Sequence, residues 1–359
     1  INHLSAKCMM ALAFCSILFS SVSCNRITTE PVWTASEGRI LKNGEPEYFI
    51  GTNLWYAGRL AKDGAGKERL ARELDTLKAL GVTNLRVLAT EGEDISCLRY
   101  ALDRMQERGM GAVLFLNNAW EWSYGFADYL EAAGAGHQPR PAVEGYSAYM
   151  ESMAAFSTNE KAIALNHDYI RRTVNALKDH PAIFSWQICN EPRCFSGSDE
   201  VRDAFVQYIH STAALVKSLD PVHMVSTGNE GRMGCEGDME FCERVNSCDD
   251  IDYITIHIWP YNWSWVKEDS VNDGIGVAVD NVNSYIMNKA FAHRAAEGGK
   301  IQTTISMNDF AKKVLAKRPY AEGGQMMSSM ERFNTHGGFF SDGLIRIDAG
   351  GTHEENPYG

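Results

Sequence analysis

Short apolar runs alternate with longer amphipathic segments along most of this chain. The runs are β-rich, and the segments between them carry hydrophobic positions at helical spacing, which predicts strands that alternate with helices. The predicted strands are residues 48–54, 82–88, 111–116, 182–191, 223–227 and 253–259. The predicted helices are residues 67–80, 95–108, 166–178 and 201–219.

The order of these elements indicates the fold class. Six strands in strict alternation with helices imply a parallel sheet. The strand–helix unit recurs along the chain. This recurrence predicts an α/β fold of the (β/α)8 TIM barrel type, in which the sheet is closed, rather than an open sheet. No glycine-rich dinucleotide or phosphate loop follows the first strand, which weakens the open-sheet alternative further.

The strand at 182–191 ends abruptly in Asn190-Glu191-Pro192. Its apolar run is typical of a strand covered on both faces. Functional side chains of parallel α/β folds gather at the carboxyl ends of strands, so Asn190 and Glu191 are candidates for chemistry. The alternative is that these residues only end a strand and open a loop.

Similar chemistry follows the other predicted strands. The residues at or just past the strand ends are Asn53, Trp55, Arg86, Asn117, Trp120, Trp122, Asn190, Glu191, Glu230, His257 and Trp259. The carboxyl ends of parallel strands meet on one rim of a barrel, so these side chains are expected to converge. Indole rings beside carboxamides, an arginine, a histidine and carboxylates suit a sugar chain. The alternative for each single residue is a core tryptophan or, for Arg86, a structural ion pair.

Charge and the amino-terminal segment narrow the class of protein. The 359 residues include 46 acidic and 34 basic side chains, a net charge of -12 that argues against a nucleic-acid partner. The amino-terminal segment has a lysine, an apolar run and then small residues, which predicts a signal peptide over residues 1–24, followed by a linker at 25–32. Small residues before Cys24 also resemble a bacterial lipoprotein processing site, so a lipid on Cys24 and plain cleavage stay alternatives. We expect an exported protein that is extracellular, periplasmic or anchored to an outer membrane.

Export would place the remaining cysteines in an oxidising compartment. They are Cys97, Cys189, Cys194, Cys235, Cys242 and Cys248. Cys235 and Cys242 bracket a short glycine-containing loop and are the pair expected to form a bridge. A zinc site is the alternative, but no histidine lies at a metal-like spacing from these cysteines. No metal is therefore expected.

Five motifs at the strand ends resemble one known family. They are Asn190-Glu191-Pro192, Asn84-Leu85-Arg86, Trp120-Glu121-Trp122-Ser123, Ser226-Thr227-Gly228-Asn229-Glu230-Gly231 and Ile256-His257-Ile258-Trp259-Pro260. Together they are similar to glycoside hydrolase family 5, and within it to the secreted bacterial endo-β-1,4-mannanases. The resemblance spans about residues 33–300.

The resemblance implies a role for several residues. Glu191 would be the general acid/base, and Asn190 would bond the 2-hydroxyl of the reacting sugar. Arg86 would orient the nucleophile, and His257 would line the reacting subsite. The family often has a tyrosine two residues after that histidine, where this chain has Trp259.

A retaining glycosidase needs a second carboxylate about 5–5.5 Å from the first, and a negative neighbour would also raise the pKa of Glu191. In the family this nucleophile is a glutamate at the seventh strand, in a Glu-Phe-Gly setting that this chain lacks. Shifting the register by about three residues aligns Asp309 with it. The alternative is that Asp309 caps a following helix.

The expected organisation is a barrel over residues 33–325 and an uncertain segment at 326–359, a tail or an eighth strand near 343–347. About sixty residues at the end depart from the family, for which a frameshift, a truncated gene model or recombination is a hypothesis. The predicted function is an exported retaining endo-β-mannanase, a monomer without a cofactor that acts on β-mannan or a related plant polysaccharide. The alternatives are a glycan-binding barrel without the nucleophile and a β-1,4-glucanase of the same family.

Overall fold

The computed structural model describes residues 32–36, 39–260, 263–265, 271–286 and 344–348. Its strands are β1 (Trp33–Ser36), β2 (Arg39–Lys42), β3 (Glu45–Pro46), β4 (Phe49–Asn53), β5 (Val82–Leu88), β6 (Gly111–Phe115), β7 (Ile183–Gln187), β8 (Met224–Ser226) and β9 (Leu344–Asp348). Its helices are α1 (Ala57–Leu60), α2 (Gly64–Ala79), α3 (Ile95–Gln106), α4 (Phe126–Ala133), α5 (Pro141–Glu144), α6 (Tyr146–Met153), α7 (Glu160–Leu177), α8 (Asp199–Leu219), α9 (Met239–Asn246) and α10 (Val271–Ile286), with a 3-10 helix at Arg232–Cys235. The predicted signal peptide and Asp309 lie outside the described residues.

The main sheet is parallel, with its six strands in the order β8-β7-β6-β5-β4-β9. Strands β4 to β8 confirm five of the predicted strands, and α2, α3, α7 and α8 confirm the four predicted helices. Strand β4 pairs with its successor β5 on one side and with β9, from the end of the chain, on the other. A first strand with neighbours on both sides is what closure of a sheet into a barrel requires.

The prediction of a regular sixth strand at residues 253–259 is wrong. Two backbone bonds hold this segment beside β8 and the turn that follows it. Asp252 N–H donates to Val225 O at 2.8 Å, and His257 N–H donates to Glu230 O at 3.3 Å. Between them Thr255 bonds the neighbouring turn through its hydroxyl group. The segment therefore runs parallel to β8 without forming a continuous ladder.

A small antiparallel sheet, β1-β2-β3, covers the amino-terminal end of the main sheet. Its buried side chains pack against apolar residues from the beginnings of the main strands and from the segment after β8. The cluster comprises Trp33, Ile40, Phe49, Val113, Phe184, Met224 and Tyr253. Because this end is filled with apolar side chains, the polar residues of the sheet are left at the carboxyl ends of the strands.

The long helices begin where the sequence supplies a capping side chain. Asp63 accepts from Gly66 N–H at the start of α2, and Asn159 accepts from Ala162 N–H at the start of α7. Such caps satisfy donors that the first turn of a helix leaves without a partner. No helix among the described residues is long and apolar enough to cross a membrane.

The six cysteines of the described residues are free thiols, so the bridge expected between Cys235 and Cys242 is not formed in this structure. Both side chains are buried. The Cys235 thiol lies 3.5 Å from Asn229 Oδ1, and Asn246 Nδ2 lies 3.8 Å from the Cys242 sulfur. Burial, together with the neighbouring Cys242 thiol, raises the pKa of Cys235.

Candidate active site

Glu191 lies on a strained turn just past the end of β7. Its φ angle is 47°, in the left-handed region that non-glycine residues rarely adopt. Glu191 N–H donates to Gly228 O at 3.1 Å. Gly228 has a φ angle of 74°, and a Cβ atom there would lie 1.9 Å from Cys189 O. Only glycine fits at this close approach, which presses the turn after β8 against the turn that carries Glu191.

Both carboxylate oxygens of Glu191 accept hydrogen bonds from aromatic rings. Oε1 accepts from Trp259 Nε1 at 3.0 Å and lies 2.6 Å from His257 Nδ1. Oε2 accepts from Trp120 Nε1 at 2.8 Å. An indole N–H can only donate, so at least two of the three contacts require lone pairs on the carboxyl oxygens. Both carboxyl oxygens are thus engaged by indole donors before any substrate arrives.

The pKa of Glu191 differs from the expectation drawn from the sequence. Burial acts to raise it, but the hydrogen bond and charge of His257, the charge of Arg193 and the Trp259 bond outweigh burial and lower the pKa to about 2. Burial, followed by the charge of Glu191, raises the pKa of Glu230 to about 7. The cost of placing two carboxylates near each other therefore falls on Glu230, because His257, the charge of Arg193 and the Trp259 N–H favour the ionised form of Glu191.

Glu230 is a buried acid held by an ion pair. Its carboxylate is 2% exposed and accepts from Arg193 Nε at 2.6 Å. The guanidinium of Arg193 also lies over the ring of Trp120, 5.5 Å from the centroid. Tyr285 of α10 donates its hydroxyl hydrogen to Glu230 O at 2.7 Å. In the structure Glu230 is the buried partner of Arg193, and its contact with substrate stays a prediction.

Asn190 joins the turns that follow β6 and β7. Its backbone N–H donates to Asn117 O at 2.8 Å, and its Nδ2 donates to Asn118 Oδ1 at 3.0 Å. Ala119 N–H returns a bond to Asn190 O at 3.1 Å. Asn190 is 5% exposed, so its position beside Glu191 is fixed by these bonds.

Arg86 lies inside the sheet at the level of the rim. It is 6% exposed and donates from Nε to Gln187 Oε1 at 2.7 Å. Its guanidinium lies 4.4 Å from the centroid of the Phe115 ring. The partner that the resemblance gives it, a nucleophile at the seventh strand, lies outside the described residues.

Two of the remaining rim residues, Trp55 and Trp122, form a group on the side of β4 and β6. The Trp55 ring lies 5.9 Å from Trp122, centroid to centroid, and Trp122 lies 6.1 Å from Phe115. Both tryptophans and Asn53 are half-buried. These rings keep exposed area and suit contact with a sugar, whereas the indole N–H of Trp120 is bonded to Glu191.

Arg193 and Asn118 are the residues that sequence reasoning missed. Arg193 is separated from Glu191 only by Pro192, and a cation so close to a candidate acid was an available signal. Asn118 carries no comparable signal, because its role depends on one oxygen that accepts from both Asn190 Nδ2 and Trp120 N–H.

Known proteins resemble this chain in sequence. The family described as GH family 5 beta-mannosidase-like matches residues 32–100 and 91–311. The mannan endo-1,4-beta-mannosidase F of Aspergillus fumigatus is 26% identical over 272 residues, which cover 65% of this chain and 56% of that protein. The mannan endo-1,4-beta-mannosidase A of Aspergillus aculeatus is 26% identical over 254 residues, 62% of each chain. The chain thus spans little more than half the length of the first of these relatives.

Solved structures resemble it in fold. The endo-1,4-beta-mannanase of Rhizomucor miehei superposes with a TM-score of 0.60 at 20% identity, covering 91% of this chain and 98% of that one. The endo-beta-1,4-mannanase of Thermotoga petrophila gives a TM-score of 0.56 at 16% identity, covering 88% and 77%. With the parallel sheet and its alternating helices, this likeness confirms the predicted α/β fold, a (β/α)8 TIM barrel.

Proposed function

This chain belongs to the GH family 5 beta-mannosidase-like family, and on that premise we propose that it is an endo-β-mannanase, a glycoside hydrolase that cleaves β-1,4-linked mannan within the polymer. The relatives named above are mannan endo-1,4-beta-mannosidases, which is the reason for choosing β-mannan among plant polysaccharides. The reaction needs two carboxylates and no cofactor.

The observation that carries the proposal is the placement of Glu191. A carboxyl group on a strained turn past β7, held by indole and imidazole nitrogens, is an acid whose position is fixed before substrate arrives. Strain of this kind persists only where the surrounding structure enforces it, and it concentrates at functional sites. Glu191 is proposed to protonate the leaving oxygen and then to activate water.

Hydrolysis of soluble mannan tests this role. Parent protein should lower the viscosity of the polymer before many reducing ends appear, as an enzyme that cuts within the chain does. Glu191→Gln keeps the size of the side chain and should lower the rate roughly 10²–10⁴-fold. Glu73→Gln is a matched control, because that carboxylate bonds Tyr56 and Arg69 instead of the rim. Equal rates for parent and Glu191→Gln would remove Glu191 from the mechanism.

Asp309 is the proposed nucleophile, and the proposed stereochemistry is retention. Asp309→Ala should abolish hydrolysis of mannan. Azide should restore turnover of an activated mannoside by attacking in place of the missing carboxylate, and NMR of the first product should show retention for the parent. Loss of activity without azide rescue would leave Asp309 as a structural residue, and full activity would exclude it.

A second candidate function is a glycan-binding barrel without turnover. The observation that favours it is the lowered pKa of Glu191, because an acid that stays ionised protonates a leaving oxygen poorly. Binding of mannan without release of reducing ends, unchanged in Glu191→Gln, would support this function. Hydrolysis of cellulose in preference to mannan would support the β-1,4-glucanase alternative.

Export is also part of the proposal. We expect the mature protein to be a monomer that begins near Cys24. Either Cys24 carries a lipid, or the signal peptide is cleaved and no lipid is added. Mass spectrometry of the amino-terminal peptide distinguishes the two, since a diacylglyceryl-modified cysteine is much heavier. A mature chain that retains residues 1–24 would contradict the predicted signal peptide.

A further inference from the structure

The Trp120 ring is packed in place on the rim. Tyr149 stacks on it with 6.4 Å between centroids and an interplanar angle of 16°. Phe195 meets it edge-on at 5.6 Å, and the Arg193 guanidinium lies 5.5 Å from its centroid. With these neighbours the ring has little freedom to turn. Its N–H is therefore aimed at Glu191 by packing.

The backbone of Trp120 is tied to the turn that carries Glu191. Asn118 Oδ1 accepts from Trp120 N–H at 3.2 Å and from Asn190 Nδ2 at 3.0 Å. Ala119 N–H donates to Asn190 O at 3.1 Å, and a parallel bridge joins Asn118 with Asn190. Movement of one turn would displace the other, so the indole and the carboxyl group keep their relative position.

The two oxygens of Glu191 are not equivalent. Each carboxylate oxygen has two lone pairs. Oε1 accepts from Trp259 Nε1 and also faces His257 Nδ1 at 2.6 Å, while within the described residues Oε2 accepts only from Trp120 Nε1. With a hydrogen on His257 Nδ1, as in the imidazolium form, a proton added to Oε1 would meet two donors, whereas a proton added to Oε2 can use the remaining lone pair and keep all three bonds.

We propose that Trp120 is a positioning residue for proton transfer at Glu191. By occupying one lone pair of Oε2, it leaves the other lone pair of that oxygen as the place where the proton is carried. Trp120 then acts through Glu191 and is not a platform for a sugar ring. The inference rests on the proposed function only in taking Glu191 as the proton donor, and its arrangement of bonds can be tested without any turnover.

Titration of Glu191 followed by carboxyl ¹³C NMR gives that test. The Glu191 resonance is identified by its absence from Glu191→Gln. Trp120→Phe keeps an aromatic ring and removes the N–H, so the pKa of Glu191 should rise by about one to two pH units, the value of a hydrogen bond to a charged group. Trp122→Phe is the matched control and should leave the titration unchanged, since the Trp122 ring contacts Trp55 and Phe115. An unchanged titration in Trp120→Phe would overturn the proposal.

A second measurement does not depend on the folding of Trp120→Phe. The chain has 8 tryptophans, and their indole N–H groups can be followed by ¹⁵N NMR at pH 7. Two resonances, those of Trp120 and Trp259, should lie downfield in the parent and move upfield in Glu191→Gln, because both donors lose a carboxylate partner. Movement of fewer than two would overturn the proposed arrangement.

Hydrolysis adds a further readout where the parent is active. In Trp120→Phe the alkaline limb of the pH–rate profile should move to higher pH by the same amount as the NMR titration. The kcat at the optimum should fall about tenfold with a smaller change in KM, because the Trp120 N–H no longer restricts the proton to one lone pair of Glu191 Oε2. A rise in KM alone, with the limb unmoved, would identify Trp120 as a substrate platform instead. If the parent does not hydrolyse mannan, the proposed function fails and the two NMR measurements still decide this inference.

Discussion

Removal of the Arg193 charge should show how this barrel accommodates the buried acid Glu230 beside Glu191. Arg193 Nε lies 2.6 Å from Glu230 Oε2, and the Glu230 carboxylate is 2% exposed. Arg193→Met keeps most of the side-chain length and leaves that carboxylate without its cation. Breaking a buried ion pair in this way costs about 3–5 kcal/mol of unfolding free energy, because an uncompensated charge stays buried.

The sign of the pH dependence follows from the pKa of Glu230. The charge of Arg193 acts to lower that pKa, so its removal should raise the pKa above the parent's value of about 7. A carboxyl group with a raised folded pKa stabilises the fold below its unfolded pKa and loses that contribution as the pH rises through the folded pKa. In the variant the folded pKa of Glu230 is higher, so the unfolding free energy keeps falling as the pH rises above 7. The destabilisation should therefore be largest near pH 9 and shrink by about 1.4 kcal/mol for each pH unit on descending from the variant's pKa to 7.

Urea unfolding near pH 9 and pH 6 measures both effects. The double variant Arg193→Met/Glu230→Gln buries no lone charge and should recover most of the loss at pH 9. Arg202→Met is the matched control, because its pair with Asp238 is more exposed and is worth at most about 1 kcal/mol. The reasoning is refuted if Arg193→Met loses the same free energy at both pH values, or if the double variant is as unstable as the single one.

Substitutions at three further positions test the fold. Gly228→Ala should cost at least about 2 kcal/mol in urea unfolding, since it adds a Cβ atom 1.9 Å from Cys189 O at a φ angle of 74°; a cost below half of that would contradict the close approach. Trp186→Phe should cost roughly 2–4 kcal/mol, because the buried ring donates to Asp220 Oδ2 at 2.8 Å; the same free energy as the parent would exclude that bond. Asn159→Ala removes a helix cap and should lower the unfolding free energy by about 1 kcal/mol, while Asn159→Asp should restore it.

The fold could be predicted from the sequence where local signals bound an element. Strand β5 matches its predicted range, 82–88, because an apolar run starts immediately after Gly81, whose φ angle of 84° ends the preceding turn. The sixth strand could not be predicted in the same way. Its apolar pattern is that of a strand. Whether a ladder forms depends on the neighbouring segment after β8, which turns sharply at Gly228 and Gly231. Pairing partners are a tertiary property that periodicity does not contain.

The residue types of the site could be predicted, but several of their contacts could not. Trp120 was expected as an exposed platform because tryptophan at a strand end suits sugars. The direction of its N–H depends on Tyr149, which lies in α6, a helix that the sequence did not predict. Arg193 pairs with Glu230, 37 residues further along the chain. Such contacts depend on side-chain directions across separate turns, which spacing along one strand does not contain.

The bonds and charges around each carboxyl group decide which acid of this rim has the lowered pKa. His257, the charge of Arg193 and the Trp259 N–H lower the pKa of Glu191, whereas burial and the charge of Glu191 raise the pKa of Glu230. Glu191 and Glu230 raise each other's cost of ionisation, yet Glu191 is surrounded by Trp120, Trp259 and His257, while Glu230 is held by a single guanidinium. The donors to Glu191 come from two turns far apart in sequence, so no single motif carries the outcome. The indole at position 259 matters in particular, since an indole N–H can only donate a hydrogen bond, whereas a hydroxyl group could also accept one. Trp259 thus favours the ionised form of the acid beside it.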